Sequence, residues 1–257
     1  MEKSIPDPIG TVDQDAVGVG PWPGPWPQDP RYDPQLLRDG DRRNVVDQYR
    51  YWTVEAIRAD LDTRRHPVHV AVENWVHDLN IGSVVRTANA VNVAGVHIVG
   101  RRRWNRRGAM VTDRYLHVHH HPDAEELHAW ARERGLPVLG IDNLPGSVPL
   151  ENHQLPESCV LLFGQEGPGL SEQARENCDA VLSIAQFGST RSLNAAAAAA
   201  IALHRWVCLH ARIPDCPPPG PDGPLDPARP PAAPAACQYS TALTSGEYPF
   251  QVANKDE

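Results

Sequence analysis

Between Val68 and His210 short apolar runs alternate with longer stretches in which apolar residues recur at helical spacing. The runs Val68 to Val72, Gly95 to Val99, Val138 to Ile141, Val160 to Phe163 and Val181 to Ile184 have the length of strands. Helical spacing occupies 80–92, 123–134 and 171–177, and the last strand feeds an Ala-rich helix, Leu193 to His210. Strands that are apolar on both sides and separated by helices predict an α/β fold, a parallel sheet flanked by helices. Ligands of such sheets sit beyond the carboxyl ends of the strands, and the polar motifs of this chain fall in those loops.

The flanks have a different pattern. In 34–62, Leu36, Leu37, Val45, Val46, Tyr49, Trp52 and Ile57 predict an N-terminal segment of one or two helices. Residues 1–33 include Pro21-Trp22-Pro23-Gly24-Pro25-Trp26-Pro27, which cannot hold a helix or a central strand because Pro fixes φ and lacks a donor. An extended arm packed on its own domain is expected there, with docking on a partner as the alternative. Residues 214–257 are Pro/Ala-rich and read as a disordered or extended tail, which leaves 63–213 as the main domain.

Charge sharpens this division. The whole chain is at −8, yet 63–213 holds 15 Lys+Arg against 14 Asp+Glu. Bulk attraction to a polyanion is excluded, so any nucleic-acid site must be local. Five cysteines without a CxxC pair offer neither a zinc knuckle nor a disulfide framework. No apolar run is long enough to span a bilayer and the start of the chain lacks the pattern of a signal peptide. A soluble cytoplasmic protein with no bound metal is expected.

Three motifs carry candidate chemistry. Asn80-Ile81-Gly82-Ser83-Val84-Val85-Arg86 enters the first helix of the main domain; Asn80 suits an N-cap, and Gly82 lets a ligand or another backbone approach. Arg86 lies among Val84, Val85, Ala88 and Ala90, where an unpaired guanidinium is costly, so an anionic partner is expected. Phe163-Gly164-Gln165-Glu166-Gly167-Pro168-Gly169-Leu170-Ser171 is a Gly-rich turn after a strand, without the spacing of a P-loop or a dinucleotide fingerprint. Glu166 is an odd choice for a phosphate site and better suits a neutral or cationic ligand, or the orientation of the neighbouring motif. Ile184-Ala185-Gln186-Phe187-Gly188-Ser189-Thr190-Arg191-Ser192-Leu193-Asn194 precedes six alanines, with Ser192 or Asn194 as the cap of a closely packed helix.

Taken together, N-x-G-x-x-x-R, F-G-x-E-G-x-G-L-S and I-x-x-x-G-x-x-x-S-L-N resemble the SpoU (TrmH-like) branch of the SPOUT superfamily, S-adenosylmethionine-dependent RNA ribose 2′-O-methyltransferases. The resemblance covers about residues 68–210. It implies a deep C-terminal trefoil knot, which periodicity does not suggest and general topology rules would exclude. It also implies a homodimer with the active site at the subunit interface. By motif position, Gly164, Ile184 and Leu193 would line the pocket of the methyl donor, with Asp142 and Asn143 in the preceding loop. Arg86 would be the essential arginine, with Asn80, Glu166, Ser192 and Asn194 as the other catalytic polar positions. The chain departs from the family at Ala185-Gln186, where Pro-Met is frequent, and at Ala195 to Ala198, where Val-Ser-Val-Ala is frequent.

Arg101-Arg102-Arg103-Trp104-Asn105-Arg106-Arg107 supplies a local RNA-binding element, arginines for phosphates and Trp104 for an unpaired base. The His117 to His121 run lacks the cysteine or acidic spacing of a metal tract and reads as a strand followed by a polar loop. The expected substrate is tRNA or rRNA. A catalytically silent RNA-binding relative and a knotted methyltransferase acting on a small molecule remain as alternatives, the first opposed by the intact motif set and the second by the arginine cluster.

Overall fold

The structure, a computed structural model, describes residues 18–75 and 80–213. The Pro/Ala tail, residues 1–17 of the expected arm and Val76 to Leu79 just before the first motif lie outside the described residues.

The strands are β1 (His66–Asn74), β2 (Val93–Gly100), β3 (Val118–His121), β4 (Val138–Ile141), β5 (Val148–Pro149), β6 (Cys159–Phe163) and β7 (Ala180–Ser183). They form one sheet in the order β3-β2-β1-β6-β4-β7-β5, and every neighbouring pair is parallel. The strand expected from the histidine run is β3. The two-residue β5 has no counterpart in the hydrophobic pattern because two residues, Val148 and an exposed Pro149, make no periodicity.

The helices are α1 (Pro34–Asp39), α2 (Val54–Asp62), α3 (Asn80–Val91), α4 (Ala124–Glu133), α5 (Glu172–Asn177) and α6 (Ala195–His210). The pleat sends alternate residues of each strand to opposite faces. Val68, Val70, Val72, Ile98, Leu161 and Phe163 form one buried cluster with Val84, Val85 and Ala88 of α3 and Leu203 and Trp206 of α6. Ala71, Val99, Val160 and Leu162 form the other with Leu127 of α4 and Ala174 of α5. Burial of a Val or Leu side chain is worth about 1.5–3 kcal/mol, so sandwiching on both faces is the main source of stability.

Before the sheet, Tyr49, Trp52 and Ile57 pack with Tyr115 in a third cluster. The described part of the Pro/Trp arm lies on this segment. Trp22 meets Tyr51 edge to face at 5.3 Å, and its backbone N–H donates to the Leu37 carbonyl at 2.8 Å.

Beneath α4 lies a row of imidazoles. His97 shares hydrogen bonds with His69 at 3.0 Å and His121 at 2.9 Å, and Trp130 of α4 covers it with ring centroids 4.3 Å apart. Burial, and then the neighbouring histidines, push His97 down to about 2. Burial likewise takes His69 and His121 down to about 4. These rings are neutral packing groups at ordinary pH.

Candidate functional site

Because the sheet is parallel, β1, β2, β4, β6 and β7 all deliver their following loops to one edge. There Asn80, Glu166 and Asn194, each from a different motif, meet. Asn80 Nδ2 donates to Glu166 Oε2 at 2.5 Å, and Asn194 Nδ2 donates to Asn80 Oδ1 at 2.8 Å and to Glu166 Oε1 at 3.4 Å. Asn194 is also the N-cap of α6, with Oδ1 accepting from the backbone N–H groups of Ala196 and Ala197. One side chain therefore ends the third loop, starts α6 and fixes both to α3.

Asn80 corrects one expectation. It lies within α3, and its side chain reaches across the site, Nδ2 donating to Glu166 and Oδ1 accepting from Asn194. Glu166 orients the neighbouring motifs, one of the two roles its chemistry suggested.

The Gly-rich turn is built by backbone against backbone. A Cβ on Gly164 would lie 2.1 Å from the Gly169 carbonyl carbon, so the end of β6 admits no side chain. Gln165 and Gly169 close the turn with paired backbone hydrogen bonds, and Gly169 has a positive φ of 73° that favours glycine. Asp142, expected at the donor pocket, turns its carboxylate to the loops themselves: Oδ2 accepts from Leu170 N at 2.9 Å and Oδ1 from Asn143 N at 2.7 Å. Asn143 Nδ2 donates to the Arg191 carbonyl at 3.4 Å. The loops after β4, β6 and β7 are thereby bound side by side, with Ile184 and Leu193 half-buried and Ser192 exposed in the last of them. Phe187 in that loop is 98% exposed.

Arg86 is exposed, contrary to the expectation that its apolar neighbours enclose it. Val84, Val85 and Ala88 face the core from α3, whereas Arg86 lies on the open side of the helix with Ser83 and Ala90. Helical geometry separates what the linear sequence places together. A solvated guanidinium six residues along α3 from Asn80, about 9 Å in rise, remains available to an anion.

The basic segment Arg101 to Arg107 leaves the carboxyl end of β2. Arg101, Arg102, Arg103, Arg106 and Arg107 are exposed and Trp104 is half-buried. Buried Asn74 holds its root, with Nδ2 donating to the Arg101 carbonyl at 2.6 Å and the Arg103 carbonyl at 3.0 Å. Its far end rests on α3. A Cβ on Gly82 would lie 2.7 Å from Gly108 Cα, so the close approach that Gly82 allows is that of this loop's backbone.

Glu73 and Asn74 lie outside the three motifs, and Gln165 lies within one without an expected role. Glu73 is buried and accepts from Trp75 Nε1 at 2.8 Å and Ser171 N at 2.7 Å, while Gln165 Oε1 accepts from Trp75 N at 3.1 Å. The available signal was two polar residues closing an otherwise apolar, doubly covered strand. Cys159 and Cys178 are pushed up to about 12 by burial, which removes them as nucleophiles at neutral pH. Among the described residues no group of three His, Cys, Asp or Glu is arranged to hold a metal ion, and no helix is long and apolar enough to cross a membrane.

A parallel α/β sheet whose loops interlock at the carboxyl edge, with three amide and carboxylate side chains joining them, defines the class. Residues 67–204 match the SpoU rRNA Methylase family, and the chain belongs to it. An uncharacterized tRNA/rRNA methyltransferase of Mycobacterium avium is 36% identical over 141 residues, 52% of this chain and 45% of that protein. The chain thus spans about half the length of such curated relatives. The fold is similar to that of the A. aeolicus TrmH/SpoU tRNA modifying enzyme, with a TM-score of 0.54 at 21% identity, covering 61% of this chain and 81% of that one. AviRb of Streptomyces viridochromogenes, a SpoU methyltransferase solved in complex with AdoMet, superposes with a TM-score of 0.51 at 28% identity, covering 56% and 58%.

Proposed function

We propose that the chain transfers a methyl group from S-adenosylmethionine to a ribose 2′-hydroxyl of tRNA or rRNA. The observation that carries this reading is the junction of Asn80, Glu166 and Asn194 from three separate motifs, with Arg86 exposed further along the same helix as Asn80. The AdoMet complex of AviRb and the tRNA/rRNA methyltransferase description of the mycobacterial relative support the donor and the acceptor.

The residues fit the donor. Three loops lie side by side through Asn143 and Asp142, and the Gly164 turn keeps side chains out of the end of β6. Gly164, Ile184 and Leu193 would hold it through backbone groups and apolar contact, with Asp142 and Asn143 shaping the loops. When bound, it supplies an electrophilic methyl group on a sulfonium.

The remaining work is positioning. Arg86 pairs with the phosphate beside the target ribose and sets the 2′-oxygen in line, and the hydroxyl proton passes to that phosphate or to water as the new O–C bond forms. Asn80, Glu166 and Asn194 hold the first turns of α3 and α6 in register, so that Arg86 keeps its place relative to the Gly-rich turn. Exposed Ser192, two residues before Asn194, offers a hydroxyl to the ribose or phosphate. Orientation of this kind supplies roughly 7–11 kcal/mol in the best cases. In the same reading the loops after β4, β6 and β7 form a trefoil knot, which the insertion of β6 between β1 and β4 favours. Two copies assemble in the cytoplasm into a homodimer, with no metal required.

Tritium transfer from labelled S-adenosylmethionine to separated tRNA and rRNA of a strain lacking the gene tests the proposal. Label in one alkali-resistant dinucleotide is expected. Donor binding without labelled RNA would favour a small-molecule acceptor, and RNA binding without donor binding a silent relative.

A further inference from the structure

A cleft outside the three motifs lies between the N-terminal segment and the basic loop. It has a volume of about 310 Å³ and is lined by Arg58 of α2, Trp104, Arg106, Asp113, Arg114 and Leu116. Three guanidiniums and one carboxylate surround an indole, a combination with more specificity than a solvated basic loop.

Each group has a definite setting. Trp104 packs against the main core on one side, and Arg106 stands 5.5 Å from its ring centroid with a side chain 72% exposed. Arg106 can therefore move aside, or close over a second flat group as a sandwich. Arg58 contacts His117 Nδ1 at 3.2 Å, which directs it along this wall. The Asp113 carboxylate is only 11% exposed and lies 3.5 Å from Arg106 Nη1. An ionised carboxylate only accepts hydrogen bonds, so it selects for N–H donors on whatever enters. The adjoining turn is strained, since Met110 and β-branched Val111 both have positive φ, 48° and 68°.

We propose that this cleft holds one unpaired nucleotide of the substrate RNA, separate from the nucleotide that is methylated. The base stacks on Trp104 with an exocyclic amino group toward Asp113, and its phosphate lies between Arg58 and Arg114. An acidic peptide would satisfy the arginines but leave the indole and Asp113 without a use. The contact between Gly82 and Gly108 ties the loop that carries Trp104 and Arg106 to the first turn of α3, the helix that carries Asn80 and Arg86. Arg58 belongs to the N-terminal segment, so that segment takes part in substrate selection. This inference rests on the RNA substrate proposed above.

The test uses the full chain with fluorescein-labelled total tRNA and fragmented rRNA, read by anisotropy over a salt series, together with ultraviolet crosslinking and peptide mapping. Trp104→Ala is expected to weaken binding about tenfold or more. Arg58→Ala and Arg114→Ala are each expected to weaken it and to lower the salt slope by about one unit. Donor binding, measured by calorimetry, is unchanged, and the crosslinked peptide contains Trp104. Because Trp104 also packs on the core, the exposed Arg114→Glu provides an independent reading and should abolish binding at moderate salt. If the wild type methylates RNA and the arginine variants bind and turn over like it, the cleft proposal is overturned alone. If the wild type neither binds nor methylates RNA, the proposed function falls with it.

Discussion

Asn194 is joined to Asn80 across 114 residues of sequence by a 2.8 Å hydrogen bond, while its other amide atom caps α6. The two roles can be separated by substitution. Asn194→Asp keeps an acceptor for the Ala196 and Ala197 N–H groups but loses the donor and sets a second carboxylate beside Glu166. Asn194→Ala loses both, and loss of the cap costs about 1 kcal/mol. In urea titrations Asn194→Ala should be the less stable of the two, yet Asn194→Asp should lose at least as much methyl transfer. Full activity in the Asp variant would mean that the Asn80 link is dispensable.

Arg86 is exposed and makes no hydrogen bond or ion pair among the described residues. Arg86→Ala should therefore leave stability within about 0.5 kcal/mol of wild type. Donor affinity by calorimetry should also be retained, while RNA methylation falls by a factor of about 100 or more. Retained turnover would remove Arg86 from the mechanism.

The sequence made most of the sheet legible because its strands are apolar on both sides, and the three motifs located the polar cluster. What it concealed has physical causes. Arg86 looked enclosed because Val84, Val85 and Ala88 adjoin it in sequence, whereas a rotation of about 100° per residue puts it on the open side. Glu73 and Asn74 close an apolar strand, and apart from Trp75 beside Glu73 their partners lie 27 to 98 residues away, beyond any local pattern. The role of Gly82 required knowing which backbone arrives opposite it, and that depends on where the basic loop lands.

Gly164 faces a peptide rather than a cavity. Gly164→Ala places a methyl within 2.1–2.3 Å of three backbone atoms of Gly169 and Leu170. None of these is the end of a flexible side chain, so relief requires the turn to move. Overpacking of this kind costs about 1–3 kcal/mol or more. Donor binding should drop more steeply than global stability, because the turn yields before β6 does. Wild-type donor affinity in the alanine variant would contradict the tight turn.

The imidazole row makes stability fall on the acid side of neutrality. His69, His97 and His121 have an ordinary value of 6.5 and are held neutral by burial, at about 4, about 2 and about 4 respectively. Below pH 6.5 the unfolded chain takes up protons that the folded one refuses, so stability present above 6.5 is lost as pH falls toward 4. Each such ring contributes up to about 1.4 kcal/mol per pH unit in that window. The urea midpoint should be lower at pH 5 than at pH 7.5, and His97→Phe should flatten the slope. A midpoint independent of pH over this range would show that the row titrates normally.

The position of β6 has a consequence for how the chain is made. It is the sixth strand in sequence but lies inside the sheet, paired with β1 on one side and β4 on the other. A nascent chain that has not yet reached Cys159 can form only the β3-β2-β1 portion, with the Val68 to Val72 edge of β1 bare, and β4 has no strand to join. Such an apolar open edge invites pairing with another chain. A shortened protein is therefore expected to emerge as an aggregation hazard rather than a weakened enzyme, and ribosome stalling before the sixth strand is the step at which chaperone binding would matter most.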